Sequence, residues 1–217
     1  MIVSLRCWML DRRVDLRYAW LAVRRRLSAR RLAVAALVAA GLWQLGAGLF
    51  VHAKAWLAQA LIEQAWQQNR SEGRTLARPW AWADTTAVAR ITFVGQARSM
   101  IVLAGDSGRV LAFGPGHRTG TTLPGEAGNS VISGHRDTHF RILEWVVGGE
   151  RIEVERLDGR RRTYRVSGAR IVERRDLGVV ADHGLDELTL VTCWPFDAVA
   201  PGGPLRYVVS AVADGDA

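Results

Sequence analysis

Twenty consecutive residues, 32–51, read LAVAALVAAGLWQLGAGLFV and contain no charged side chain and one amide, Gln44. As an α-helix rising about 1.5 Å per residue, such a run is about 30 Å long, the thickness of a bilayer's hydrocarbon core. A chain carrying it either crosses a membrane or wraps a core around it. The preceding residues argue for the membrane. Residues 1–31 hold nine Arg (6, 12, 13, 17, 24, 25, 26, 30 and 31) and two Asp (11 and 15), a net +7, and Arg30-Arg31 abut the apolar run. A cleaved export signal has an apolar core of about 7–15 residues behind a short basic head. Residues 1–31 are therefore expected to be a basic cytoplasmic N-terminus and 32–51 an uncleaved transmembrane anchor. The excess of Arg before the run places that end inside the cell. The expected location is the inner (plasma) membrane, single-pass, with the remaining 166 residues periplasmic or otherwise extracytoplasmic. The lipid bilayer is thus the first partner the sequence implies.

The same asymmetry removes a competing class. The formal charge is +8, which invites nucleic-acid binding. Residues 32–217, however, carry only +1 of it. No nucleic-acid partner is expected. With 49% hydrophobic and 23% charged residues the chain can build a sizeable core.

The anchor also changes how the two cysteines read. Cys7 falls on the cytoplasmic side and Cys193 on the outer side, so the bilayer keeps them apart. Cys193 is then a single thiol in an exported domain: an inert buried residue, an intermolecular bridge or a reactive group.

Beyond the anchor, residues 52–84 read as a juxtamembrane helix and linker. Within 54–70 the apolar positions Trp56, Leu57, Ala60, Leu61 and Trp66 keep helical spacing. Residues 71–84 (SEGRTLARPWAWAD) lead to the domain, their tryptophans expected as packing plugs. From residue 85 to 217 the pattern turns to short β-rich runs. These are 88–94, 99–104, 109–113, 129–134, 151–157, 161–167, 169–173, 187–192 and 205–212, with a helical turn at 139–146. Asp158-Gly159 between two of them signals a hairpin. Many short strands with few helices predict a mainly β barrel or sandwich.

Cys193 follows the apolar run 187–192 and precedes Trp194-Pro195. Proline cannot continue a central strand, so Cys193 is expected where a strand emerges into a loop. An unassisted thiol of pKa near 8.5 is only about 3% thiolate at pH 7, so a reactive cysteine needs a neighbouring cation. His52 lies at the membrane edge, leaving His117, His135, His139 and His183. His135 ends the strand 129–134 and is preferred; His139 and His117 remain alternatives. Zinc is disfavoured, because the i, i+4 pair His135/His139 needs a helix and His135 ends a strand. Arg206 lies in the last strand. It is either a solvated edge residue or, beside the Cys193 strand, a fixed charge for an oxyanion or carbonyl.

Three blocks carry a resemblance. They are Thr189-Leu190-Val191-Thr192-Cys193, the stretch 129–135 (NSVISGH), and Gly203-Pro204-Leu205-Arg206-Tyr207-Val208, with intervals of 58 from His135 to Cys193 and 13 from Cys193 to Arg206. Together they resemble the sortase family of cysteine transpeptidases over about residues 85–215, and no core motif departs from its pattern. Leu123-Pro124-Gly125-Glu126, Gly134-His135-Arg136-Asp137-Thr138 and Cys193-Trp194-Pro195-Phe196 are similar to class D-related sortases. Residues 79–85 (PWAWADT) are similar to the stem of the Gram-negative group.

The resemblance implies a closed eight-stranded sortase-type β-barrel over 85–217. It implies catalytic roles for His135, Cys193 and Arg206, with no cofactor and no metal. The substrate would be a protein with an LPxTG-like C-terminal sorting signal, cut through a thioester and passed to an amine acceptor. A catalytically weak barrel acting as a binding scaffold, and a plain cysteine endopeptidase, are the alternatives.

Overall fold

The computed structural model describes residues 3–72, 77–181, 183–200 and 202–214, with side chains from residue 30 onward. The side chains of the basic arm up to residue 29, Cys7 among them, and residues 73–76 of the linker lie outside that set. The chain divides into two compact units, Met1–Lys54 and Ala55–Ala217. A helix α1 runs Val3–Glu72. Its stretch Arg30–Glu72 holds an 18-residue window of mean hydropathy 1.9, none of it buried. By length and composition this is a candidate membrane span.

The second unit is a closed barrel of eight strands, the architecture expected from the resemblance. In chain order they are β1 (Ala87–Phe93), β2 (Arg98–Ala104), β3 (Gly116–His117), β4 (Asn129–Ser133), β5 (Arg151–Arg156), β6 (Arg161–Glu173), β7 (Glu187–Trp194) and β8 (Leu205–Ala213). Around the barrel they run β1-β2-β3-β4-β7-β8-β6-β5, and β5 closes onto β1. β2–β3 and β4–β7 pair in parallel and the other ladders are antiparallel.

The interior follows from strand alternation. In β1 the inward positions Ala89, Ile91 and Phe93 are buried and those between them are half-exposed, while Ala87, across a register shift, joins a second cluster. Ile132, Leu188 and Leu190 enter the same core from the β4–β7 ladder. Phe140 and Leu143 enter it from a 3-10 helix, His139–Trp145, where the sequence predicts a helical turn.

Three expectations change. The run 109–113 is not a strand: Gly108–Leu111 forms a short helix α2, capped by the Ser107 hydroxyl, which accepts from the Val110 amide at 3.4 Å. A serine that satisfies an orphan helical N–H outweighs a short β-like pattern. The strand next to β2 is instead the two-residue β3, too short to show a period. Runs 161–167 and 169–173 are one strand, β6, whose register against β8 shifts between Val166 and Gly168. The turn at Asp158-Gly159 forms as expected: Gly159 has φ 81 and the Asp158 carboxylate accepts from the Arg160 amide at 3.0 Å.

The helical segment Ala55–Glu72 belongs to the barrel unit. Its Ile62 and Trp66 pack with Ala87, Ile101, Leu103 and Val110, and Trp66 is fully buried. Glu63 and Arg70 pair with Arg90 and Glu155 on the barrel wall. Of the two linker tryptophans, Trp80 plugs this cluster against Phe113, with ring centroids 4.9 Å apart, while Trp82 is 83% exposed.

Candidate active site

β4 and β7 pair in parallel from Asn129 opposite Glu187 to Ser133 opposite Val191. The offset along this ladder is constant at 58, the same interval that separates His135 from Cys193. Two residues beyond the last pair, the two side chains therefore leave the ladder at neighbouring positions. Hydrogen bonds carry the register past the ladder's end. The Gly134 amide donates to the Val191 carbonyl at 3.0 Å, and the Thr192 hydroxyl donates to the Gly134 carbonyl at 2.8 Å. Glycine is required at 134 because a Cβ there would sit 2.6 Å from the Phe140 ring.

β8 pairs with β7 on its other side and sets Arg206 directly opposite Cys193. Arg206 therefore lies beside the Cys193 strand, the second of the two placements the sequence left open. His135, Cys193 and Arg206 line one open pocket of about 590 Å³. His135 is exposed, and Cys193 and Arg206 are half-buried. Arg206 Nη1 donates to the carbonyls of Gly203 at 2.8 Å and Leu205 at 2.7 Å, which fixes the guanidinium at the head of β8. Among the described residues no carboxylate pairs with it. Val131, Val179, Val180 and Val191 give the pocket an apolar wall. Asp106 and Arg118 lie 3.5 Å apart on another side, with the Ser133 hydroxyl 3.4 Å from Asp106.

The other histidines are engaged elsewhere. His117 is buried, its Nε2 2.9 Å from the Thr122 carbonyl and 3.1 Å from the Thr121 hydroxyl. His183 Nδ1 lies 3.0 Å from Glu187. His139 begins the 3-10 helix outside the pocket lining. Burial holds its pKa below the ordinary imidazole value, with the charges of His135 and Arg98 adding to that. Among the described residues no group of three His, Cys, Asp or Glu side chains is placed to hold a metal ion.

The sequence reading did not find the polar bolt beneath the site. The buried Asn129 amide donates to the carbonyls of Val179 at 3.3 Å and Ala181 at 2.9 Å, and its oxygen accepts from the Thr189 hydroxyl at 2.8 Å. Both residues stand in the quoted blocks, but which polar groups meet is known only once the β4–β7 register is known. The pocket's Asp106 and Arg118 carried no signal in the sequence at all.

This arrangement sets a thiol, an imidazole and a fixed guanidinium around one concavity with an apolar wall. Such a set can attack a carbonyl, move a proton at the leaving and entering groups, and hold the oxygen that becomes negative. Residues 92–214 match the family model described as the sortase domain. Sortase D of Bacillus subtilis (strain 168) is 33% identical over 109 residues, 50% of this chain and 54% of that protein, so the chain matches about half of this relative's length. Among solved structures, a Clostridium perfringens sortase D5 transpeptidase superposes with a TM-score of 0.57 at 22% identity, over 73% of this chain and 96% of that one. At that identity the likeness concerns the fold. Sortase A from Corynebacterium diphtheriae gives 0.55 at 25% identity, over 73% and 85%. The catalytic domain of B. anthracis sortase D gives 0.53 at 27%, over 64% and 95%.

Proposed function

This chain belongs to the sortase family, and from that premise we propose that it is a membrane-anchored cysteine transpeptidase. The observation that carries the reading is the meeting of Cys193, His135 and Arg206 in one pocket through two ladders of fixed register. Its substrate is a protein ending in an LPxTG-like sorting signal. The apolar residues of the signal suit the valine-lined wall, and its scissile carbonyl lies between Cys193 and Arg206.

The Cys193 sulfur, its proton passed to His135, attacks the carbonyl carbon between the signal's Thr and Gly. The carbonyl oxygen gains the negative charge, and Arg206 stabilises it. Collapse breaks the C–N bond, and His135 gives its proton to the departing amine. The result is a thioester on Cys193 and a released C-terminal tail. An incoming amine then attacks the thioester, His135 takes its proton, and the new amide leaves as the thiol is regenerated. One amide is exchanged for another, so neither ATP nor an oxidant enters the balance. The 32–51 anchor holds the barrel on the outer side of the inner membrane, where exported proteins pass.

The test is intact-mass spectrometry of the full chain in detergent micelles, mixed with a sorting-signal peptide. A gain equal to the acyl fragment, absent in Cys193→Ala, supports the thioester. Product masses that change when a primary amine is added support transfer. Unchanged products point to a plain endopeptidase. Peptide binding with neither adduct nor cleavage overturns the enzyme and leaves a binding scaffold.

A further inference from the structure

The connection from β7 to β8 links Cys193 to Arg206, and residues just after His135 grip it. Arg136 is only 6% exposed and takes no part in the pocket lining. Its Nη2 donates to the carbonyls of Ala198 and Ala200, each at 2.7 Å. Arg141, in the following 3-10 helix, donates from Nη1 to the Phe196 carbonyl at 2.8 Å and lies 5.9 Å from that ring's centre. Phe196 in turn packs edge-on against Trp194 and Tyr207, with centroids 5.6 and 5.2 Å away.

Among the described residues no carboxylate pairs with Arg136. Burying a guanidinium without a counter-ion is unfavourable, and an apolar side chain of similar volume fills space at lower free energy. An apolar side chain cannot hold two carbonyls of an irregular segment at once; the two N–H donors of one guanidinium nitrogen can. Arg136 is also the residue next to His135, so whatever it fixes is fixed relative to the imidazole. The Thr192–Gly134 bond ties the two strand ends on one side of the site, and Arg136 ties the exit of β7 on the other.

Resting on the transpeptidase reading above, we infer that Arg136 is a positioning residue. It holds the β7–β8 connection, and through it Cys193 and Arg206, in register with His135. Small misplacements of reacting groups cost about 100-fold in rate without weakening substrate binding equally. The expected signature is therefore a fall in kcat rather than a rise in KM.

The test uses the full chain in detergent micelles, with Arg136→Ala and the better space-filling Arg136→Met. Turnover of a sorting-signal peptide is read as kcat and KM per folded molecule, and amide exchange is read over 196–200 and 188–191. The expected result is a kcat about 10–100-fold lower, with KM within about twofold. Exchange over 196–200 speeds about tenfold or more while 188–191 keeps its protection. Added guanidinium restores part of the rate in Arg136→Ala and none in Arg136→Met, whose side chain occupies the space. Unchanged kcat per folded molecule, or unchanged exchange over 196–200, overturns the inference while leaving the transpeptidase intact. A wild-type chain that never turns over peptide overturns the transpeptidase reading instead, and the exchange data then decide the clamp alone. If Arg136→Ala does not fold, Arg136→Met carries both readouts.

Discussion

At the scale of single residues, the neighbourhood of His135 is set as much by uncharged groups as by charged ones. His139 is the second imidazole there, and burial, His135 and Arg98 all push its pKa below the ordinary 6.5. The folded chain therefore favours neutral His139. The sign of the stability effect follows. Between the lowered folded value and 6.5 the unfolded chain binds a proton that the folded chain does not. Stability from this group is complete above 6.5 and is lost as pH falls through that window. Melting temperatures from pH 8 to pH 5 should fall more steeply for the wild type than for His139→Gln. A difference between the two that does not vary with pH would refute this account.

Among the elements, the helical segment Ala55–Glu72 is part of the barrel's packing. Trp66 is its anchor: fully buried, beside Leu103 and Ile101, with the Arg90 guanidinium 5.7 Å from its ring centre. Asn69 adds a backbone-like clasp, donating to the Ala77 carbonyl at 3.0 Å and accepting from the Ala77 amide at 2.6 Å. Truncating a buried Trp typically removes about 3–5 kcal/mol, from lost transfer free energy and the cavity left behind. Trp66→Ala should destabilise the barrel by about that amount in thermal or denaturant unfolding. A segment serving only as a stalk would leave the barrel's transition unmoved. The periodicity of 54–70 predicted this helix but not its partner, because an apolar stripe says that a face is covered and not by what.

For the whole molecule, the decisive join is the parallel ladder β4–β7, which brings together segments 58 residues apart. Its lower end is pinned by Asp186, which accepts from the Gly128 amide at 2.7 Å and pairs with Arg162. The Gly128 hydrogen bond first, and Arg162 second, hold this carboxyl below the ordinary 3.8. The stability it contributes is present above 3.8 and is lost as pH falls through the lowered folded value. Asp186→Asn should melt below the wild type at pH 7, and the gap should close as the pH drops under 4. A gap as large at pH 2 as at pH 7 would rule out the charge as its cause. Much of this protein is local in origin. The apolar run 32–51, the alternation of the strands and the turn at Asp158-Gly159 follow from side-chain chemistry over a few residues, so they can be read from sequence. Cys193, His135 and Arg206 could be singled out by their chemistry and their resemblance to known blocks. The two-residue β3 and the capped helix α2 were not legible, since neither has length enough for a period. The meeting of the three pocket residues, the Asn129–Thr189 bolt and the Arg136 grip belong to the tertiary structure alone. Each depends on a register between distant strands, and that register is chosen by burying the inner face of a closed barrel as a whole, not by any property of the neighbouring residues.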